Sequence, residues 1–520
     1  MKLRNIAIYA VMFVLATTFV ACDDWLSKEP SKSTKKTLQT TEQLDALLGN
    51  YSLFYQESMT PIYGSDDWGI TPEFHTAKSG GVFNATSHLP YILYADEVDD
   101  SRYSVWQKEY PKIYYANMAI EQAMGLNGPE EDKANLKAEG HFLRAYSMFN
   151  LAVAHTLYYT GQNGDELGLS LQTMTFEDAS ARANLADTWA FIEADVQEAL
   201  KITVPLKGND GRNRVWRATT ASVNAFAARY YLYRGDLTLA KSYAEKALSE
   251  YNTLWDYNTM SFSQSTMSYD INGSTNPESV KLQLPSGYDV RLSGAANFGV
   301  WFDEEGSYLA RDCYHASWWF VPSQDLVDTY AVDVPGGDSQ NDLRFRYFFV
   351  EDFSLRTCTK DPAFRWWGVM MHYMESVNAG PSVAEMMLIK AEVEARNGDY
   401  TTAMKSIAPL RKARIDASVY TELTATSQDD AIKKILQERR RELLMAMRWY
   451  DLKRYNANDY AADDVTVTRQ FYDYNPASGS VLMDGGVKTY TLEPNSRHYA
   501  IPLPKTEIAN GKGEIQQNTY

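Results

Sequence analysis

Apolar residues recur at three- and four-residue spacing over two separated stretches of the chain, and that period predicts a mostly α-helical protein. Ala225 to Leu248 places Ala228 before Arg234-Gly235-Asp236-Leu237, with Ala240, Ala244 and Ala247 after it. This reads as a helix, a tight Gly-Asp turn and a second helix. The glycine suits the left-handed residue that ends one helix, and the aspartate suits the cap of the next. The arrangement returns 163 positions later, where Leu388 to Leu410 carries Ala391, then Asn397-Gly398-Asp399-Tyr400, then Ala403, Ile407 and Leu410. Two such units predict helical hairpins of the tetratricopeptide-like kind, each relying on stacked neighbours to bury the rest of its apolar face.

Further stretches carry the same period. Ser104 to Met124 presents Trp106, Tyr110, Ile113, Asn117 and Ile120, and Lys137 to Tyr158 presents Phe142, Tyr146, Phe149 and Val153. Thr188 to Leu200 predicts another helix, and Asp429 to Tyr455 a single long amphipathic one opened by Asp429-Asp430, since acids favour a helix start. The repeat helices thus occupy about 104–250 and 382–455, with their aromatic stripes read as core. Between them, about 252–378 is rich in Gly, Ser, Asn, Asp and aromatics. It predicts an insertion built mainly of loops, with short strands at Tyr347 to Val350 and Gly368 to Tyr373 and a helix at Ser323 to Tyr330. Long irregular segments on a rigid scaffold usually carry function. A second aromatic-rich loop, Tyr51 to Tyr94, precedes the first repeat.

The amino terminus is of another character. Lys2 and Arg4 precede an apolar run, Ile6 to Val20, and Ala21 stands before Cys22. Residues 1–21 therefore read as a cleaved signal, and Cys22 as the acceptor of a lipoprotein lipid. Several acyl chains on one residue make such an anchor effectively stable, since each buried methylene contributes about 0.8 kcal/mol. Residues 22–41, rich in Ser, Thr and Lys after Asp23-Asp24, form the tether, leaving 42–520 as a single domain.

Composition narrows the partners. The precursor has a net charge of −17, and loss of Lys2 and Arg4 with a signal that holds no acid makes the mature chain −19. Such a chain repels nucleic acid and other polyanions, and no basic run exceeds Arg439 to Arg441. No HExxH, GxSxG, phosphate loop or dinucleotide fingerprint occurs, so neither a metal nor a cofactor is expected, and no catalytic residue is assigned. Acid clusters such as Asp66-Asp67 and Asp303-Glu304-Glu305 read as solvated loop charge. Cys313 and Cys358 are left open between a disulfide and two free thiols.

Order and number of motifs carry a resemblance to a known family. Cys22-Asp23-Asp24-Trp25-Leu26 is followed by Glu139-Gly140-His141-Phe142-Leu143-Arg144-Ala145-Tyr146, Arg182 to Leu200, Ala225 to Gly235 and Pro322-Ser323-Gln324-Asp325-Leu326-Val327. Glu438-Arg439-Arg440-Arg441-Glu442-Leu443, Arg448-Trp449-Tyr450-Asp451-Leu452-Lys453-Arg454 and Tyr499-Ala500-Ile501-Pro502-Leu503-Pro504 close the series. In this the chain resembles the SusD/RagB family of outer-membrane lipoproteins. It departs at Met445-Ala446-Met447, where the family often has Glu-Gly and one residue more. The charges of Glu438 to Arg454 read as ion pairs within and between helices.

The resemblance implies a lipid-anchored protein on the cell exterior. It would capture a nutrient, most often an oligosaccharide, and deliver it to a SusC-like TonB-dependent transporter. Sugar faces stack on Tyr and Trp rings while Asp, Asn and Arg receive the hydroxyls. On that basis the candidate ligand-binding set is Trp68, Asp67, Trp301, Tyr308, Arg311, Trp318 and Trp319. Trp68 and one of Trp318 or Trp319 lead, because Trp68 sits in a polar Gly64-Ser65-Asp66-Asp67-Trp68-Gly69 loop. Tyr314, Asp303 and the pair Trp366-Trp367 stand nearby in sequence or composition. Capture of peptides, a glycan-degrading surface enzyme and a helical-repeat adaptor are the alternatives.

Overall fold

The computed structural model describes residues 38–77, 88–99, 104–175, 181–270, 279–285, 306–314, 321–351, 353–354, 357–358, 367–369 and 376–520. The signal, Cys22 and the tether as far as residue 37 lie outside them, as do Trp301, Asp303, Trp318, Trp319 and Trp366.

Helices dominate, and most of the longer ones begin at a side-chain cap. Thr41–Leu48 (α1) starts at Thr40, whose hydroxyl oxygen accepts from Gln43 N. Val105–Gln122 (α2) starts at Ser104 in the same way. Glu130–His155 (α3) opens on Glu130, Glu131 and Asp132. It begins about two turns before the apolar period does, because acids in a first turn favour a helix without contributing to a stripe. Leu185–Ala199 (α4) packs on α3, which packs on α2.

The two predicted hairpins are present. Thr220–Arg234 (α5) ends at Gly235, φ 81°, and Asp236 accepts from Leu239 N to start Leu237–Glu250 (α6). Val383–Arg396 (α7) and Tyr400–Arg414 (α8) turn through Gly398, φ 89°, and the Asp399 cap. Helix α6 lies against α7, joining the two units. Its Ala240, Ala244 and Ala247 are fully buried, so the backbones approach closely. One large core runs from Leu44 to Ile515, and a smaller one within the C-terminal unit holds Leu388, Ala391, Ile407, Leu410, Ile432 and Ile435.

The long helix expected over Asp429 to Tyr455 is instead two, Gln428–Glu442 (α9) and Arg448–Tyr455 (α10). The break falls at the family departure. Met445 takes φ 59° while its side chain is buried, so packing holds a non-glycine residue in the left-handed region. Helix α9 is the hub of the molecule. Glu438 receives Arg411 at 2.6 Å, Arg441 at 2.7 Å and Arg344 at 2.8 Å. Arg439 reaches Asp451 at 2.8 Å, Arg440 reaches Asp67 and Asp325, both at 2.7 Å, and Glu442 pairs with Arg344 and Arg414, both at 2.9 Å. The expectation that these charges form structural ion pairs is met.

Other expectations change. The Tyr51 to Tyr94 segment is not an open loop: Tyr51–Phe54, Thr60–Gly64, Pro72–Ala77 and Leu89–Ile92 are short helices, and Gln56–Glu57 is a strand. Tyr347 ends up in the helix Leu343–Phe348, and the strands beyond it, Phe349–Glu351 and Trp367–Val369, pair antiparallel. The helix expected at Ser323 to Tyr330 is Gln324–Thr329, capped by Ser323. Phe262–Asp270 and Ser279–Pro285 form an antiparallel ribbon, as do Val467–Tyr474 and Val481–Leu492. Cys313 is a free, buried thiol, so the disulfide alternative does not hold for it.

Candidate functional site

Two chain segments far apart in sequence are sewn together at the start of the insertion's C-terminal flank. Trp68 bridges to Pro322, Gly69 N donates to Val321 O at 2.8 Å, and Ser323 N donates to Asp67 O at 2.7 Å. The seam requires glycine. A Cβ on Gly69 would lie 2.2 Å from Pro322 O.

Arginines of α9 and α10 lock this loop from below. Asp66 accepts from Arg448 Nε and Nη2, both at 2.7 Å, and Asp67 from Arg440 Nε at 2.7 Å. Burial opposes ionisation of Asp66, yet Arg448 and Arg440 outweigh it and hold the carboxyl well below the usual range. Asp67 goes the other way: burial pushes its carboxyl up, Asp66 adds to the rise, and Arg440 only partly opposes it. Carboxyls driven apart in this manner can divide acid and base roles in an enzyme. Here Asp67 is fully enclosed, and the pair works as a scaffold.

Four members of the candidate set are therefore relocated. Trp68 is 3% exposed and meets Tyr63 edge to face at 4.7 Å, so it offers no ring face to a sugar. Asp67 is spent on Arg440. Tyr308 is buried and its hydroxyl donates to Tyr251 O at 2.5 Å. Arg311 is buried, donates to Ala310 O at 2.8 Å and lies 5.7 Å from the centroid of the Tyr146 ring. The polar surroundings that pointed Trp68 outward are themselves buried ion pairs.

Trp301, Trp318 and Trp319 lie outside the described residues, but the flanks of the Trp318-Trp319 segment are well held. Asp312–Tyr314 pairs in parallel with Gln56–Glu57 and antiparallel with Ser376–Asn378. Asp312 N donates to Tyr55 O at 2.9 Å, and Ala310 N to Val215 O at 2.7 Å. On the other side, residues 321–323 enter the seam with Asp67 and Gly69. The described residues on the two sides of 315–320, 312–314 and 321–323, thus each belong to a backbone pairing. No signal in the sequence marked Gly69 or Pro322 as anchors, since their partner segments lie some 250 positions away.

Elsewhere two further buried arginines are paired with buried acids. Arg229 grips Glu385 through Nε at 2.9 Å and Nη2 at 2.7 Å, and Arg454 grips Glu392 at 2.5 and 2.8 Å. Among the described residues no three His, Cys, Asp or Glu side chains converge as metal ligands, and no helix is long and apolar enough to cross a membrane.

Comparison with known proteins places this architecture. Residues 383–520 match the SusD family, and residues 24–232 match a family described as "Starch-binding associating with outer membrane". A SusD-like protein of Formosa agariphila is 22% identical over 493 residues, covering 88% of this chain and 92% of its own. A SusD superfamily protein from Bacteroides thetaiotaomicron shares the fold with a TM-score of 0.61 at 16% identity, over 92% of this chain and all of that one. A laminarin-binding SusD-like protein does so with a TM-score of 0.56 at 17% identity, over 93% and 99%. With family signatures over residues 24–232 and 383–520, the chain belongs to the SusD family.

Proposed function

We propose that this protein captures an oligosaccharide at the outer membrane, held there by lipid on Cys22, and passes it to a SusC-like TonB-dependent transporter without cleaving it. The observation that carries the reading is the match of residues 24–232 to a family described as starch-binding and associating with the outer membrane. The fold shared with a laminarin-binding relative supports it. Contact with the sugar falls to the insertion, where Trp318 and Trp319 occupy a segment clamped at both ends, with Trp301 upstream. A tryptophan ring offers a sugar a large stacking face at little conformational cost, with only two side-chain torsions to fix. The acidic chain favours neutral glycans over sulfated or uronic ones.

The test is a panel of soluble glycans in affinity electrophoresis and calorimetry, using the mature chain freed of lipid by Cys22→Ser. Binding of a neutral glycan without released sugar, weakened in Trp318→Ala, is the expected result. Released reducing ends would overturn the non-enzymatic reading, and silence across the panel with binding of peptides would move the ligand class. Delivery is tested separately, by co-purification of the tagged protein with an outer-membrane β-barrel from its own membranes.

A further inference from the structure

Far from the insertion in sequence, a cavity of about 300 Å³ opens between α1, the start of α3 and the segment 202–218. That volume is at the lower end for small-ligand sites. Its floor is apolar, built from Leu136, Ile202 and Val204, and its other lining groups are mostly charged.

The charges are unevenly satisfied. Arg217 is neutralised: its Nε and Nη2 donate to Glu139 at 2.7 and 2.6 Å, and Nη2 lies 2.9 Å from Asp45. Arg214 is different. It is half-buried in the wall, yet its guanidinium has no hydrogen bond or ion pair with any described residue. A guanidinium that faces the cavity with no partner among the described residues is free to take an anion, and its planar fork matches a carboxylate. Asp132 at the rim is likewise without a side-chain partner among the described residues, and Glu42 beside it is fully solvent-facing. Four carboxylates against two guanidiniums in the lining disfavour a phosphate or any other dianion. A monoanion that brings its own cation is accommodated.

The geometry points to a second ligand site here, for a small zwitterion with an apolar body: a free amino acid or dipeptide whose carboxylate meets Arg214, whose ammonium meets Asp132 and Glu42, and whose side chain covers Leu136 and Ile202. The site shares no residue with the insertion and does not depend on glycan capture.

The experiment uses the Cys22→Ser mature chain and three probes: alanyl-leucine, its N-acetylated and C-amidated counterpart, and maltose as a neutral control. Saturation-transfer NMR and calorimetry report binding. Alanyl-leucine is expected to bind, the blocked dipeptide and maltose to fail, and Arg214→Gln to weaken the zwitterion by about tenfold or more, the factor set by loss of one charge-assisted contact. Trp318→Ala should leave this binding unchanged, which separates it from glycan capture. Arg214 is only half-buried, and an unaltered melting temperature confirms that Arg214→Gln is folded. No saturation transfer from alanyl-leucine at millimolar concentration, equal binding of the blocked form, or undiminished binding by Arg214→Gln would each overturn the assignment.

Discussion

Glu438 is the most consequential carboxylate in the molecule, and replacing it by glutamine tests whether the α9 hub holds the two halves of the scaffold together. The side chain is fully buried, with Arg344, Arg411 and Arg441 at 2.6 to 2.8 Å. Arg344 has other acids, Asp342 at 2.7 Å and Glu442 at 2.9 Å. Among the described residues Arg411 and Arg441 have none: beyond Glu438 they find only backbone oxygens, Asp333 O at 2.5 Å for the first and Thr329 O and Val332 O at 2.7 and 2.8 Å for the second. Glu438→Gln keeps the shape and leaves two buried guanidiniums without counter-charge. Breaking one buried pair in this manner costs about 3–5 kcal/mol, and the loss here should lie in that range. Burial works against the Glu438 carboxylate, but Arg344, Arg441 and Arg411 prevail and hold it well below the usual carboxyl range. A lowered folded-state pKa stabilises above the unfolded value, and that stabilisation fades as pH falls through the folded one. The gap between wild type and Glu438→Gln should therefore be constant from about pH 5 to 8 and narrow progressively below about pH 4.5, where the unfolded carboxyl takes up its proton first. Urea unfolding followed by tryptophan fluorescence measures it, with Glu198→Gln, from the exposed Lys201 pair, as a control expected to change nothing measurable. A loss below about 1 kcal/mol for Glu438→Gln, the size of an ordinary hydrogen bond, would refute the hub.

Three other outcomes follow from the structure. Trp68→Ala should cost about 3–5 kcal/mol of stability as a buried aromatic truncation, whereas Trp318→Ala should reduce glycan binding with little change in melting temperature; the reverse pattern would return Trp68 to the ligand. Gly69→Ala forces the loop and Pro322 apart and loses the two seam hydrogen bonds, about 2 kcal/mol at about 1 kcal/mol each; calorimetry should show weakened glycan binding in a protein that remains helical by circular dichroism. His155 is buried, with Nδ1 2.9 Å from Ile501 O, and burial pushes its pKa down to about 4. The unfolded chain takes up that proton first, so His155 removes stability as pH falls from about 6.5 to 4, roughly 3 kcal/mol in all; His155→Gln should flatten that part of the urea midpoint-versus-pH curve.

What could be read from sequence follows the range of the interactions involved. The hairpins were legible because their signals are local: Gly235-Asp236 and Gly398-Asp399 end one helix and cap the next within two residues. The break after α9 was not, since Leu443, Leu444, Met445 and Ala446 are all good helix formers and only tertiary packing places Met445 at φ 59°. The Val467 to Leu492 ribbon gave no clear alternation, because most of Val481–Leu492 faces solvent on both sides. Trp68 was misplaced for the same reason of distance. Its polar neighbours Asp66 and Asp67 find Arg448 and Arg440 more than 370 positions away, and so enter the interior. The insertion was recognised as such, but which of its aromatics face a ligand depends on loop geometry that no local period encodes.

The clamps on either side of residues 315–320 rest largely on backbone pairing, at Asp312–Tyr314 and at Val321 to Ser323. Backbone ladders are indifferent to the side chains between them. The pairing on either side can therefore form whatever side chains stand between Tyr314 and Val321 in sequence. In the laboratory these two pairings mark the joints at which sequence can be exchanged between relatives that share the fold.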